Sequence, residues 1–300
     1  MRDNLLVGKH LSDEKTAYEY LAKFRWPDGL KCVHCGSEKV YTLNVKNVRR
    51  VVLKCGTCRK QFSATVGTIF EDSHIPLTKW FMAMQLVCSS KKGISAHQLH
   101  RMLGVTYKTA WFMEHRIRYA MTHSPFTGKL GGIVEADETY IGGKERRSAG
   151  PSKKTAVFAL VERNGGVRSF VVHRVTSKNL REIIRENVAP DTRMMTDEYH
   201  GYRGLKNEFA DHQTINHSRG HYVRGEVTTN TVEGYFSLLK RGLNGTYHHV
   251  SKHHLHRYLA EFNFRYNARH QDDLTRAMLA VKGVEGKRLQ YRSASSARGN

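Results

Sequence analysis

The cysteines constrain the fold of this chain more than any other feature of its sequence. Four of the five cysteines form two C-x2-C pairs, Cys32/Cys35 and Cys55/Cys58, separated by residues 36–54. This spacing is typical of a zinc ribbon, in which a β-hairpin brings two pairs of thiolates to one tetrahedral ion. Four thiolates leave no open coordination position, so we expect one structural Zn²⁺. Four unligated cysteines are the less favoured alternative.

The charge of the chain indicates a polyanionic partner. Lys and Arg number 49 against 27 Asp and Glu, which gives a formal net charge of +22. Nucleic acid is the commonest partner of such a surface. The charge is spread over residues 45–54, 142–154 and 217–225, which argues against the alternative that it only aids solubility. We find no basic amphipathic helix or lipidation site, so we expect no membrane partner.

The N-terminus and the apolar runs predict a cytoplasmic protein. Charged residues interrupt the first 29 positions early and often, which is unlike a secretory signal. No apolar run approaches the roughly 18 residues that a membrane-spanning helix needs.

Changes in periodicity divide the chain into five segments. We expect a helical segment (1–30), a zinc ribbon (31–72), a helix-turn-helix-like DNA-binding segment (73–125), an α/β domain (132–285) and a disordered tail (286–300). In the third segment, Gly104 occupies the turn, where a residue tolerant of positive φ is needed. The second helix of this pair would present four DNA-binding candidates at its exposed N-terminal end. These candidates are Thr106, Tyr107, Lys108 and Thr109.

Three carboxylates of the α/β segment stand out by their positions. Asp137 lies in the predicted strand IVEADETYIGG, Asp197 ends a short strand, and Glu233 lies on the predicted helix NTVEGYFSLLKRG. The elements run strand, hairpin, helix, strand, strand, helix. We therefore predict an RNase H-like α/β domain, a mixed five-stranded sheet with flanking helices, because this order brings three distant carboxylates to one sheet edge.

Such a cluster suits phosphodiester chemistry. Two Mg²⁺ or Mn²⁺ ions about 3.5–4 Å apart can activate an attacking oxygen and stabilise a leaving one, and carboxylates are their preferred ligands. Lys240 lies two helical turns from Glu233 on the same face, and Lys240 and Arg241 are therefore candidates for DNA contact. The alternative for Glu233 is a capping box, in which its carboxylate accepts from the N–H of Asn230.

At this point the sequence resembles a known family. The stretches EADETYIGGK and MTDEYHGY, and the long stretch from YVRGEVTTN to FNFRYNAR, are similar to the ISXO-like group of bacterial insertion-sequence DDE transposases. The resemblance extends from about Cys32 to Arg269. That group joins an N-terminal zinc ribbon to an RNase H-like catalytic domain, which agrees with the organisation predicted above.

The resemblance implies roles for individual residues. Asp137, Asp197 and Glu233 would be the catalytic acids that hold two Mg²⁺ or Mn²⁺ ions, with Lys240 completing an E-x6-K pattern. Asn230 is the alternative third residue, because some relatives carry asparagine as the third catalytic residue and Asn230 lies close to Glu233 in the sequence. The spacing to Lys240 favours Glu233.

The resemblance also implies a function. We expect a DNA transposase that binds the terminal inverted repeats of an insertion sequence and then cleaves and transfers DNA strands. Its partners would be double-stranded DNA of the element and the target, and a second copy of the chain in a homodimer or larger assembly. It would act in the bacterial cytoplasm, associated with the nucleoid when bound to DNA. The alternatives are an RNase H-like nuclease without strand transfer and a non-catalytic zinc-ribbon regulator.

Overall fold

The computed structural model describes residues 13–43, 51–122, 128–143, 154–216 and 225–290. Most of the three basic segments, part of the first predicted helical segment, residues 123–127 and the last ten residues lie outside these ranges. The chain forms two compact units. One comprises the described residues within Met1–His123 and Gln271–Asn300, and the other comprises those within Ser124–His270.

The first unit contains a small sheet and five helices among its described residues. The strands β1, β2 and β3 form an antiparallel sheet in that order. The elements are α1 Glu14–Arg25, β1 Val40–Leu43, β2 Val52–Cys55, β3 Gln61–Phe62, α2 Leu77–Ser89, α3 Ala96–Leu103, α4 Tyr107–Ala120 and α8 Asp273–Lys282.

Helices α3 and α4 form around a short turn, as the sequence predicts. Ser95 caps α3 by accepting from the N–H of Gln98 at 3.2 Å. Gly104 ends α3 with φ +60°, a left-handed conformation that glycine adopts without a steric penalty. Thr106 then caps α4 by accepting from the N–H of Thr109 at 3.2 Å. These local caps fix the two helix ends that flank the turn.

The C-terminal part of the chain packs within the first unit. Helix α8 contacts α2 and α4, whereas the sequence places residues up to 285 in the α/β domain. The residues after α8 continue this packing. Glu285 pairs with Arg25 at 2.9 Å, and the ammonium of Lys287 donates to the carbonyls of Tyr119 and Ala120 at 2.9 and 3.0 Å. Residues 286–290, which the sequence assigns to a disordered tail, are therefore in contact with the unit.

The second unit is built on a five-stranded mixed sheet in the order β6-β5-β4-β7-β8. Strand β4 runs antiparallel to β5 and parallel to β7, which in turn runs parallel to β8. This is the sheet of an RNase H-like domain, so the predicted fold class is confirmed. The elements are β4 Ile133–Ile141, β5 Thr155–Glu162, β6 Val167–Val172, α5 Ser177–Asn187, β7 Arg193–Asp197, β8 Asp211–Ile215, α6 Asn230–Gly242 and α7 Leu255–Asn267.

The two faces of the sheet carry separate cores. On one face, buried Val134, Ala136 and Phe158 pack against α5. On the other face, Val157 and Ala159 pack against α6 and α7. Side chains alternate between the faces of a strand. The odd-numbered residues of β4, including Asp137, therefore lie on the face that α6 and α7 cover.

Candidate catalytic site and zinc centre

The four cysteines converge on one point in the first unit. The sulfurs of Cys32 and Cys58 lie 3.7 Å apart, those of Cys35 and Cys55 lie 3.6 Å apart, and all four lie within 4.8 Å of one another. A tetrahedron with zinc–sulfur bonds of about 2.3 Å has edges of about 3.8 Å. The donor set and its spacing therefore fit one structural zinc ion.

Backbone N–H groups donate hydrogen bonds to two of these sulfurs. The N–H of Cys58 donates to the sulfur of Cys55, and that of His34 donates to the sulfur of Cys32, both at 3.4 Å. The donor at Cys58 lowers the pKa of the Cys55 thiol, whereas desolvation and the neighbouring sulfurs raise the pKa of the Cys35 thiol. Because zinc binds thiolates, binding of the ion would release the protons that the cluster still holds.

In the second unit, Asp137 and Asp197 lie on adjacent parallel strands. The register pairs Ile133 with Arg193 and Glu135 with Met195. The pairing of β4 with β7 ends there, and Asp137 and Asp197 each lie two residues further along their strands, on the same face of the sheet. Positions 60 residues apart in the chain thus become lateral neighbours.

The charges of the three predicted acids interact. Burial raises the pKa of Asp137 to about 7, and the charges of Asp197, Glu138 and Glu233 add to the rise. Asp137 and Asp197 are each half-buried, and both also accept from backbone N–H groups, of Glu138 at 2.7 Å and Tyr199 at 3.0 Å. The structure therefore brings the three acids into one electrostatic cluster.

The acids are more widely spaced than the cysteine sulfurs. Among the described residues, the four cysteines are the only group of three or more His, Cys, Asp or Glu side chains whose ligand atoms lie close enough together to share one ion. Partly buried carboxylates of like charge favour such separation. Their hard oxygen donors are of the kind that Mg²⁺ and Mn²⁺ prefer.

Glu233 lies in the first turn of α6 and is exposed. Its carboxylate accepts from the hydroxyl of Thr229 at 2.8 Å. The N–H of Asn230 instead donates to the hydroxyl of Thr228 at 3.1 Å, so this N–H does not serve the predicted capping box. Asn230 is also exposed and begins the helix, one turn before Glu233.

Helix α6 presents a polar face that continues beyond Glu233. Asn230, Glu233, Ser237, Lys240 and Arg241 are all exposed, at helical spacing. On the opposite side, buried residues of α6 pack on the sheet. The two predicted DNA contacts, Lys240 and Arg241, therefore lie on the same side of the helix as the candidate third acid.

The predicted contacts at the start of α4 divide into two pairs. The hydroxyls of Thr106 and Thr109 bond to each other at 2.8 Å within the helix cap. Tyr107 and Lys108 are exposed, and the Tyr107 ring stacks on His97 of α3 with centroids 4.3 Å apart. His97, which the sequence does not single out, thus belongs to the same exposed surface as Tyr107 and Lys108.

Two glutamates of β4 contribute to the site, although sequence analysis missed them. Glu135 is fully buried and accepts hydrogen bonds from the start of α6. Glu138 lies on the opposite face, where its carboxylate accepts from the hydroxyl of Tyr202 and burial raises its pKa. The one signal for them in the sequence was their closeness to Asp137: Glu135 lies two positions before it and Glu138 follows it directly.

Comparison with known proteins defines the family. The model of an ISXO2-like transposase domain matches residues 129–267, and that of a transposase zinc-ribbon domain matches residues 12–61. An uncharacterised protein in the transposable element ISH50 of Halobacterium salinarum is 31% identical over 276 residues, covering 86% of this chain and 92% of that protein. The chain belongs to the ISXO2-like transposase family. The predicted resemblance is confirmed.

Two further proteins match this transposase, one over a shorter length and one at lower sequence identity. An uncharacterised transposase-like protein of Haemophilus influenzae is 34% identical over 101 residues, or 34% of this chain and 80% of that protein. The crystal structure of the Mos1 strand transfer complex covers 67% of this chain and 72% of its own, with 12% identity and a TM-score of 0.29.

These findings confirm the prediction of a DNA transposase with a zinc ribbon. The match over residues 12–61 includes all four cysteines, in agreement with the sulfur geometry. The match over residues 129–267 includes all three acids and Lys240. None of the transposase helices in the described ranges is long and apolar enough to cross a membrane.

Proposed function

We propose that this transposase cleaves and joins DNA strands at a site formed by Asp137, Asp197 and Glu233. One observation carries the proposal: the charges of Asp197 and Glu233 both act on Asp137, although the three residues come from two strands and a helix. A structural role does not require three like charges to converge, because their repulsion is unfavourable. Binding of cations would relieve it.

Each residue has a separate task in this proposal. When bound, two Mg²⁺ or Mn²⁺ ions would stabilise the charge that develops during in-line displacement at phosphorus. Asp137 and Asp197 would provide oxygen ligands from two strands, and Glu233 would provide the third from α6. Lys240, on the exposed face of α6, contacts a DNA phosphate near the scissile bond. In the cleavage step water attacks the phosphorus at the element end, and the broken P–O bond releases the 3′-hydroxyl of that end. In the joining step this 3′-hydroxyl attacks a phosphorus of the target DNA, and the 3′-oxygen of the target strand leaves.

The first unit is proposed to hold the terminal inverted repeats. The zinc ribbon and the pair α3–α4 would contact the DNA, with Tyr107 and Lys108 exposed at the start of α4. The net charge of +22 favours association with the phosphate backbone. Because two element ends must be joined together, the active form would be a homodimer or a larger assembly.

The test uses the full-length protein, Mg²⁺, a target plasmid and a labelled DNA fragment carrying the inverted repeat that flanks its reading frame. We expect a product in which the labelled end is joined to the plasmid. A nicked fragment without joining would indicate a nuclease. A shifted band without cleavage would indicate a non-catalytic regulator.

Substitutions of Asp137 and Asp197 test whether these residues are needed for cleavage and joining. Asp137→Asn and Asp197→Asn should abolish nicking and joining while the labelled fragment is still bound. Asp191→Asn is the matched control, because Asp191 is an exposed carboxylate in the turn before β7. Full activity of Asp137→Asn, or equal loss in Asp191→Asn, would contradict the proposed site.

A further inference from the structure

The carboxylate of Glu135 joins strand β4 to the start of helix α6. It accepts from the N–H groups of Thr231 and Val232 at 2.7 and 3.0 Å, and from the hydroxyl of Thr231 at 2.9 Å. A fourth donor is Nε of Arg163 at 2.7 Å. Both oxygens of a fully buried carboxylate are thus satisfied by fixed donors.

This contact replaces a local helix cap. Thr229 is the N-cap residue of α6, but its side chain makes no capping hydrogen bond. Its hydroxyl donates to Glu233 instead. The first N–H groups of a helix need acceptors, and a negative charge near them is favourable. Glu135 supplies both from a strand 96 residues away in the chain.

Arg163 extends the contact to the segment before the helix. Its two terminal nitrogens donate to the carbonyls of Glu226 and Thr228 at 2.8 and 3.0 Å. The pair Glu135–Arg163 therefore holds both the last residues before α6 and the first turn of α6. These hydrogen bonds tie the start of the helix to one position along β4, in addition to the apolar packing of α6 on the sheet.

The same place determines the distance between two candidate acids. Glu135 and Asp137 are two residues apart on one face of β4, and Glu233 follows Val232 directly in α6. A shift of the helix start relative to Glu135 would move Glu233 relative to Asp137 by the same amount. A displacement of about 1 Å can lower a catalytic rate about a hundredfold. Changes to the residues that orient metal ligands also weaken metal binding.

We propose that Glu135, held by Arg163, is a positioning residue that sets Glu233 against Asp137 for shared metal binding. This inference rests on the proposed catalytic site. It assigns to Glu135 no contact with DNA or with the metal. A purely structural cap would affect the stability of the fold and leave the metal affinity of the folded protein unchanged.

The test compares wild type with Glu135→Gln, which keeps the shape of the side chain and removes its charge. The matched control is Glu261→Gln, because Glu261 is also fully buried in the second unit and pairs with Arg265 at 2.8 Å, away from the start of α6. Three measurements are made on the full chain: thermal unfolding, Mn²⁺ binding by electron paramagnetic resonance, and hydrogen exchange over residues 229–236.

We expect Glu135→Gln to raise the Kd for Mn²⁺ about 10–100-fold, the range found when partners of metal ligands are changed. Faster exchange at the start of α6 should accompany this loss, and DNA binding should be unchanged. Glu261→Gln should keep the wild-type Mn²⁺ affinity even if its melting temperature falls. Wild-type Mn²⁺ affinity in Glu135→Gln, or an equal loss in Glu261→Gln, would overturn the inference.

A milder variant covers the case in which Glu135→Gln does not fold. Thr231→Val removes one donor to Glu135 and should raise the Kd for Mn²⁺ about fivefold, which corresponds to the loss of one hydrogen bond. An unchanged Kd would count against the inference.

Asp137→Asn distinguishes failure of this inference from failure of the proposed catalytic site. If Asp137→Asn loses Mn²⁺ binding while the two positioning variants behave as wild type, only this inference fails. If Asp137→Asn binds Mn²⁺ and cleaves DNA normally, the proposed catalytic site fails.

Discussion

Asp137 and Asp197 are lateral neighbours on two parallel strands of the transposase sheet. Strand β4 continues to Ile141, but β7 ends at Asp197, so Asp197 stands at the carboxyl end of its strand. Asp137 is paired with Ala159 of β5, and Asp197 is paired with Ile215 of β8. The first two candidate acids are therefore fixed by backbone hydrogen bonds, whereas the third depends on how α6 is held against β4.

The identity of the third acid can be tested by comparing two exposed residues of α6. Glu233→Gln should lower the single-turnover cleavage rate at least about a hundredfold, since metal-assisted charge stabilisation is worth several kcal/mol. Asn230→Ala should lower it less than about threefold, because a neutral amide compensates the charge of a divalent cation less well than the carboxylate of Glu233 does. The rates are measured at saturating Mg²⁺ and DNA. A large loss in Asn230→Ala with a normal rate in Glu233→Gln would reverse the assignment.

The stability of the protein without added Mg²⁺ should depend on pH through Asp137. Its pKa in the folded state is about 7, against about 3.9 for an unperturbed aspartate. The folded state therefore holds this proton more tightly than the unfolded state. The associated stabilisation is full below about pH 4 and is lost as the pH rises through about 7.

Asp137→Asn removes this dependence. Relative to wild type, the variant should gain about 1–3 kcal/mol in free energy of unfolding between pH 4 and pH 8. Urea unfolding followed by circular dichroism measures the difference, with Asp191→Asn as the control for loss of an exposed carboxylate. An equal pH dependence in wild type and Asp137→Asn would show that the carboxyl is not perturbed in the folded protein.

Zinc removal should unfold the ribbon and leave the second unit intact. Cys55→Ser should reduce bound zinc from one ion per chain to near zero, because structural zinc sites contribute about 10–16 kcal/mol of binding free energy at neutral pH. Cys88→Ala is the matched control, since Cys88 is fully buried in α2 and stands apart from the four-cysteine group. Metal analysis and limited proteolysis report the outcome; one zinc retained by Cys55→Ser would exclude the four-cysteine site.

Salt should weaken DNA binding steeply. If six or more phosphates are neutralised, the affinity should fall about a thousandfold or more between 50 and 200 mM salt. Lys240→Ala and Lys108→Ala should each reduce the slope of log K against log salt by about one. Lys206→Ala is a useful control, because Lys206 is exposed in the second unit but lies away from α6 and α4 in the chain. Mobility-shift titrations at several salt concentrations measure the slopes. A flat response would exclude the basic surface as the DNA-binding face.

Much of the fold was accessible from the sequence because its signals are local. The cysteine pairs, the turn at Gly104 and the strands around Asp137 and Asp197 each depend on a few adjacent residues. The order of these elements then leads to the sheet topology. Local patterns of this kind also located the three candidate acids before their electrostatic coupling was known.

The features that the sequence did not reveal depend on distant partners. Glu135 caps a helix from 96 residues away. The sequence of that helix start indicated only a local capping box between Asn230 and Glu233. Helix α8 is stabilised by contact with α2, which is almost two hundred residues earlier in the chain. Its own sequence, DLTRAMLAVK, predicts a helix with an apolar face, but a local pattern does not indicate which distant helix that face contacts.

The return of α8 to the first unit has a consequence for synthesis on the ribosome. Helix α2 emerges early with apolar side chains such as Trp80, Phe81 and Met84, which are buried in the finished protein. The helix that packs on α2 is translated almost two hundred residues later. A nascent chain must therefore keep this surface partly uncovered until α8 has been made, and a chain that is terminated before α8 never closes its first unit.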